Sequence, residues 1–262
     1  MLVEKHMKPH EAAGHGYDHA LAVFTHCHRA LDNMTIISDP MKQELYSDAK
    51  EGDVKGESTI TCDEAESILL AALLHDCDDP KLFSCDTKHA HSKSILDAIG
   101  SHPKQQTLVL SIIDLVSCSK NGNKPHSPSW MLIVRDADRI EALGLVGIQR
   151  TIDYAESIGN PMFLPDTMRC KNQEEIKQVA TSERFKLYAS GGKSRSCIDH
   201  FYDKLLHLDE LHSNNAYLCK LASERMVIMR HFVILYGSGI LEKFAHLIHS
   251  PPPTLKSSSA SP

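Results

Sequence analysis

The sequence predicts an all-α protein built as a single helical bundle, and three observations carry that prediction. Apolar residues recur at three- and four-residue spacing along nearly the whole chain, as in helices that bury one face. Helix start and stop signals bracket those stretches. No two segments alternate cleanly enough to pair as strands, and no repeat with a period of about 20–50 residues is present. At 262 residues the chain is long enough to enclose a substantial core.

The elements follow in order. Residues 17–33 place Ala20, Val23, Phe24, Cys27 and Leu31 on one face. Segment 48–60 is polar and glycine-containing and reads as a surface loop. Thr61, with Glu64 three residues on, forms a capping box that opens a helix running to His75. Residues 88–100 group Ile95, Leu96 and Ile99 until Gly100 stops them. Pro103 opens the next helix, with Leu108, Ile112, Leu115 and Val116 facing inward. Beyond the loop at 121–128, residues 130–154 keep a helical period and are expected as one helix. Residues 196–212 and 215–248 read as two further helices, the last one long. The clause Gly191-Gly192-Lys193-Ser194 lacks the earlier glycine of a phosphate loop and is a turn. The domain is expected to span 1–249. The tail 250–262, SPPPTLKSSSASP, has nothing to bury and is expected to be disordered.

Composition excludes several classes. Hydrophobic content of 42% and charged content of 24% suit a globular protein, and the net charge of −6 comes with no basic block. A dedicated binder of polymeric nucleic acid is therefore not expected. Residues 1–13 are charged, and nothing approaches the apolar run of about 18 residues that a membrane span needs. A cytoplasmic protein without membrane association is the expectation. The eight cysteines form no C-x-x-C and read as free thiols in a reducing compartment. Most of the 17 histidines, among them His26, His28, His246 and His249, read as surface or satisfied core residues.

Chemistry concentrates in three places. The apolar run 68–74 ends in His75-Asp76, an ionisable pair that is costly to bury unless something such as a divalent cation offsets it. Upstream lies Gly14-His15-Gly16-Tyr17-Asp18-His19. Downstream, Arg135, Asp136, Asp138, Arg139 and Glu141 interrupt an apolar-periodic helix. The order is His, then His-Asp, then Asp. Asp136 and Asp138 diverge by about 200° on a helix, so both cannot face one ion, and spacing does not choose between them.

This pattern resembles the HD superfamily of metal-dependent phosphohydrolases, in particular its small stand-alone members of bacterial type. The likeness rests on the H-x-x-x-H of His15 and His19, on AALLHDCDD over 71–79, and on DADRIEALG with a following GIQR over 136–150. Residues 198–206 are similar to the family's C-terminal helix. The resemblance implies an HD-type helical domain holding one divalent ion (Mn, Fe, Co, Ni, Zn or Mg) through His19, His75, Asp76 and Asp138. Asp138 is preferred because related enzymes use the acid directly before the arginine. Asp136 would then cap the helix start or support a ligand.

By the same resemblance, Asp79 matches an acid that orients the attacking water, against a plain turn role ahead of Pro80. His91 and Lys120 are candidates to contact substrate phosphate. Arg139 and Arg150 read as structural, Arg139 through an acid one turn away. The chain departs from the family at Gly16, where Asp is common, and at Ala22, where Arg is common; both positions bear on substrate more than on metal. The implied activity is hydrolysis of a nucleotide or similar small phosphate ester, by metal-activated water attacking phosphorus. The partner is thus a small phosphorylated substrate, and a homodimer through the face of 215–248 stays open. The alternatives are a di-iron HD-type oxygenase, for which only His89 and His91 offer further ligands, and a non-catalytic nucleotide-sensing module.

Overall fold

The structure, a computed structural model, describes residues 2–8, 16–38, 58–79, 83 and 87–240. His15, the loop over 48–57, residues 241–248 and the tail 250–262 lie outside the described residues. The fold is mostly α, as the periodicity predicts. In chain order the helices are α1 (Leu2–Met7), α2 (Tyr17–Leu31), α3 (Cys62–Leu74), α4 (Ala90–Ala98), α5 (Pro103–Val116), α6 (Cys118–Asn121) and α7 (Ile133–Glu141). Then come α8 (Gly144–Ser157), α9 (Gln173–Val179), α10 (Ser182–Ala189), α11 (Cys197–Asp203) and α12 (Ala216–Gly237). Among the described residues no helix is long and apolar enough to cross a membrane.

The core forms where α2 packs on α3, α3 on α5, and α7 threads between α2, α5 and α12. Val23 and Cys27 of α2, Ile68 and Ala72 of α3, Ile112 of α5 and Ile140 of α7 are fully buried there. Burying one Leu or Ile side chain contributes roughly 1.5–3 kcal/mol, so this layer sets the mutual placement of the three helices that matter for chemistry. The capping box at Thr61 forms as read: its hydroxyl accepts from Glu64 N–H at 3.1 Å, and its own N–H donates to the Glu64 carboxylate at 2.7 Å.

Several expectations are corrected. Two short strands, β1 (Thr35–Ile37) and β2 (Thr59–Thr61), pair in parallel, Thr35 opposite Thr59. At three residues each they are too short to show alternation, and β2 takes up the end of the segment read as loop. The helix expected over 130–154 is three pieces: a 3₁₀ turn at Ser129–Leu132, then α7, then α8. Gly144 breaks it with φ of +74°, a conformation that favours glycine. Gly147 is needed as well, since a Cβ there would lie 2.1 Å from the Ala142 carbonyl oxygen.

The segment 196–212 is α11 followed by a 3₁₀ turn at Leu205–His207. Helix α12 ends at Gly237, whose backbone lies against Cys170 so closely that a Cβ would reach 2.0 Å from the Cys170 carbonyl oxygen. Helices α9 and α10 carried no prediction, although both have ordinary start signals. The side chains of Asn172 and Thr181 accept from Glu175 and Arg184 N–H. Ile99, expected inward, is 51% exposed, while Val109 joins Ile112 in the buried face of α5.

Candidate metal centre

Helix α7 is buried along its whole length except at Asp138. That one acid opens toward the last turn of α3 and the first turn of α2. Its Oδ1 lies 3.1 Å from His19 Nε2 and 3.9 Å from His75 Nε2. Asp76 Oδ2 lies 3.8 Å from His19 Nε2 and 3.5 Å from His75 Nε2. His19, His75 and Asp138 together offer one ligand atom each within 4.8 Å of one another. Ligand atoms around one transition-metal ion, each at about 2.0–2.2 Å, stand about 3–4 Å apart. His19, His75 and Asp138 thus meet as one possible ligand set, and Asp76 stands beside both histidines but outside that set.

The local chemistry of His75 shows that the set fits a cation. His75 closes α3, where the final carbonyls lack helical partners. Its Nδ1–H donates to the Ala72 carbonyl at 2.8 Å, which fixes the proton on Nδ1 and leaves a lone pair on Nε2. That Nε2 is buried and has no hydrogen-bond partner among the described residues. A buried nitrogen aimed at two carboxylates with nothing to bond is what a metal ligand requires before its ion is bound.

The electrostatics agree. Burial pulls the His75 pKa down, yet Asp76 and Asp138 outweigh it and the value is raised. Burial pushes the Asp138 pKa up, but the bond from His19 and the nearby charges of His75 and Arg150 hold it well below the usual carboxylate range. The carboxylates therefore create a site that favours positive charge. The cluster fits a divalent metal ion, and its mixed nitrogen and oxygen donors do not single one out.

The neighbouring acids and arginines are placed for other work. Asp136 is fully buried, and its Oδ2 accepts the N–H groups of His212 at 3.0 Å and Ser213 at 2.7 Å. It pins the lead into α12 and does not cap α7. Arg139 donates to the carbonyls of Gly122 and Glu210, a correction to the acid partner expected one turn away.

Asp79 sits half-buried on the turn after His75, its N–H donating to the Asp76 carbonyl at 3.1 Å. Asp78 accepts from the backbone N–H groups of both His91 and Ser92 at 2.9 Å, so it caps α4 from a distance. His91 Nδ1 also stands 3.1 Å from Asp78, and its ring packs against His6 and Phe83. His89 pairs with Asp114 at 3.1 Å. The two histidines that a di-iron site would call on are thus tied to other carboxylates. Lys120 is exposed on α6, and among the described residues no hydrogen bond or ion pair holds it.

The sequence reading missed two residues here. Arg150, read as structural, brings Nη1 to 3.2 Å from His19 Nδ1. His26, read as one of many bland histidines, is held between Glu141 at 2.8 Å and the Tyr217 hydroxyl at 2.8 Å. The only sequence signal for either was position: Arg150 ends the GIQR segment, and His26 lies two turns beyond His19 on the same helix face.

No protein-family model matches the chain. It is 39% identical over 249 residues to protein L803 of Acanthamoeba polyphaga mimivirus, covering 89% of this chain and 93% of that one. It is 28% identical over 168 residues to YpgQ of Bacillus subtilis, 62% of this chain and 67% of YpgQ. The structure of YpgQ in complex with ADP matches with a TM-score of 0.53 at 21% identity, over 91% of this chain and 93% of that one. A Lactobacillus plantarum protein matches with a TM-score of 0.59 at 24% identity, over 92% and 95%. Identity to L803 across nearly all of both chains makes the two members of one family. The residues gathered at one point of this helical fold are those on which the likeness to the HD superfamily rests.

Proposed function

We propose that this chain is a metal-dependent phosphohydrolase acting on a nucleotide or a similar small phosphate ester. The observation that carries the reading is the orphaned, tautomer-fixed Nε2 of His75, facing Asp76 and Asp138 beside His19. His19, His75, Asp76 and Asp138 would hold the ion. A divalent cation in this position supplies Lewis-acid polarisation of a phosphoryl oxygen and an acidified water.

The chain's own residues supply the rest. Asp79, three residues past Asp76, orients or deprotonates the attacking water, since in-line displacement at phosphorus needs a positioned base. His91 keeps Nε2 available on a partly exposed ring, and Lys120 is an uncommitted cation; both are assigned to more distant phosphates of a substrate. Net acidity favours a small substrate over a polymer. The nucleotide assignment draws support from YpgQ, whose structure was solved in complex with ADP.

The test is a panel of nucleoside mono-, di- and triphosphates and sugar phosphates, each with Mn, Fe, Co, Ni, Zn or Mg. It is run beside His75→Ala and Asp76→Ala. Phosphate or pyrophosphate release by the wild type that both substitutions abolish is the expected result. Release that survives both would refute the site, and nucleotide binding with no turnover in any metal would turn the reading toward a sensing module.

A further inference from the structure

Helix α3 ends at Leu74, and His75, Asp76 and Asp79 lie on the irregular turn that follows. Carbonyl groups beyond a helix end need a donor from elsewhere. The Cys77 carbonyl, between Asp76 and Asp78, finds its donor 71 residues away: His6 of α1 donates to it through Nε2 at 3.0 Å. Among the described residues no backbone N–H bonds that carbonyl.

The same ring is also a packing surface. It stacks on Phe83 with centroids 4.5 Å apart and planes 13° apart, and its centroid lies 4.4 Å from that of His91. Phe83 and His91 stand 5.1 Å apart, and the Phe83 N–H donates to the Asp79 carbonyl at 2.9 Å. Rings at such separations attract and orient one another. His91 is fixed on one side by Asp78, which accepts its backbone N–H at 2.9 Å and meets its Nδ1 at 3.1 Å. That leaves the imidazole able to rock about its side-chain torsions, and the neighbouring rings of His6 and Phe83 limit the rocking.

Helix α1 spans six residues, too few to hold their shape alone. Met7, next to His6, is fully buried in the core and docks the helix. The imidazole of His6 is therefore brought to the turn by an anchor other than its own contacts.

We propose that His6 is a positioning residue for the reaction: from α1 it pins the peptide that follows Asp76 and sets the ring of His91 to meet the outer phosphate of a nucleotide. Resting on the phosphohydrolase reading above, this assignment makes α1 part of the substrate side of the site. His6 touches no substrate itself; its whole effect passes through His91 and the turn.

A double-mutant cycle on the full chain tests the assignment, because residues that act through one another are not additive. ADP affinity is measured in Mn²⁺-saturated buffer for wild type, His6→Ala, His91→Ala and the double variant, as Kd by calorimetry or as KM if ADP is turned over. His6→Ala and His91→Ala should each weaken ADP about tenfold, and the double variant should be no weaker than His91→Ala alone. His6→Gln, which keeps a donor for the Cys77 carbonyl, and His6→Phe, which keeps the ring, should each recover part of the loss. Mn²⁺ uptake should persist in all of them, since His19, His75 and Asp138 are held by their own helices.

ADP affinity unchanged in His6→Ala but weakened in His91→Ala would overturn this proposal alone. So would losses that add in the double variant, or a His6→Ala protein that no longer takes up Mn²⁺. If urea unfolding shows that His6→Ala is not folded, His6→Phe and His6→Gln decide in its place by the same cycle. Wild-type protein that takes up no Mn²⁺, or that binds no ADP with it, would overturn the phosphohydrolase reading and this assignment with it.

Discussion

Helices α2 and α7 are joined by two histidine–carboxylate contacts, His19 to Asp138 at 3.1 Å and His26 to Glu141 at 2.8 Å. The residue types are nearly the same, yet the two have opposite characters. At the second contact both ring nitrogens of His26 are used: Nδ1 meets the Tyr217 hydroxyl and Nε2 meets Glu141 Oε1, which also accepts from Arg225 at 2.9 Å. At the first, the Asp138 side chain is 34% exposed and faces the unpartnered Nε2 of His75. A buried histidine–carboxylate pair stabilises when its donors and acceptors are all satisfied. It becomes a binding site when a third group leaves a lone pair aimed at it and the carboxylate stays partly exposed.

Substitution should pull the two contacts apart. The largest effect is expected from Asp138→Asn, which should cost about a thousandfold in phosphate-ester turnover and most of the Mn²⁺ uptake, measured by metal analysis. Added Mn²⁺ at about 100 times its Kd should raise wild-type stability by about 2.7 kcal/mol in urea unfolding, and should fail to do so in that variant.

Glu141→Gln should behave in the reverse way, lowering stability by about 3 kcal/mol at pH 7 while Mn²⁺ uptake persists. Burial would raise the Glu141 pKa, but hydrogen bonds from His26 and Arg225 and the Arg225 charge hold it down at about 2, below its usual 4.5. A depressed folded-state value means the stabilisation is complete above the unfolded value of 4.5 and is lost as pH falls toward 2. The difference between wild type and Glu141→Gln should therefore close across that window in acid unfolding. The smallest effect is expected from Tyr217→Phe, which removes one hydrogen bond to His26 and should cost about 1 kcal/mol, with turnover unchanged.

The same contrast explains what the sequence could convey. His75-Asp76 was legible because an apolar run ending in two ionisable groups is a local anomaly. Asp138 was legible through the family likeness of its segment, although spacing alone could not separate it from Asp136. What separates them is burial: Asp136 is closed over by the backbone of 212–213, and Asp138 stays partly exposed beside the two histidines.

His26 and Glu141 lie 115 residues apart, and Arg150 and His19 lie 131 apart. No local pattern reports such contacts, because each depends on how α2, α7 and α8 cross. The helical class followed from periodicity throughout. The breaks at Gly144 and after Asp203 did not, because apolar spacing continues across a corner when both sides pack on one core.

That corner has a mechanical consequence. Gly147 lets the first turn of α8 rest against the Ala142 carbonyl, so the angle between the helix bearing Asp138 and the helix bearing Arg150 is set by backbone touching backbone. Even a methyl group at 147 would act as a wedge, and any tilt it forced would be multiplied along the arginine side chain three residues further on. The alignment of the cation with the acid is thus held to tolerance by a residue that touches neither.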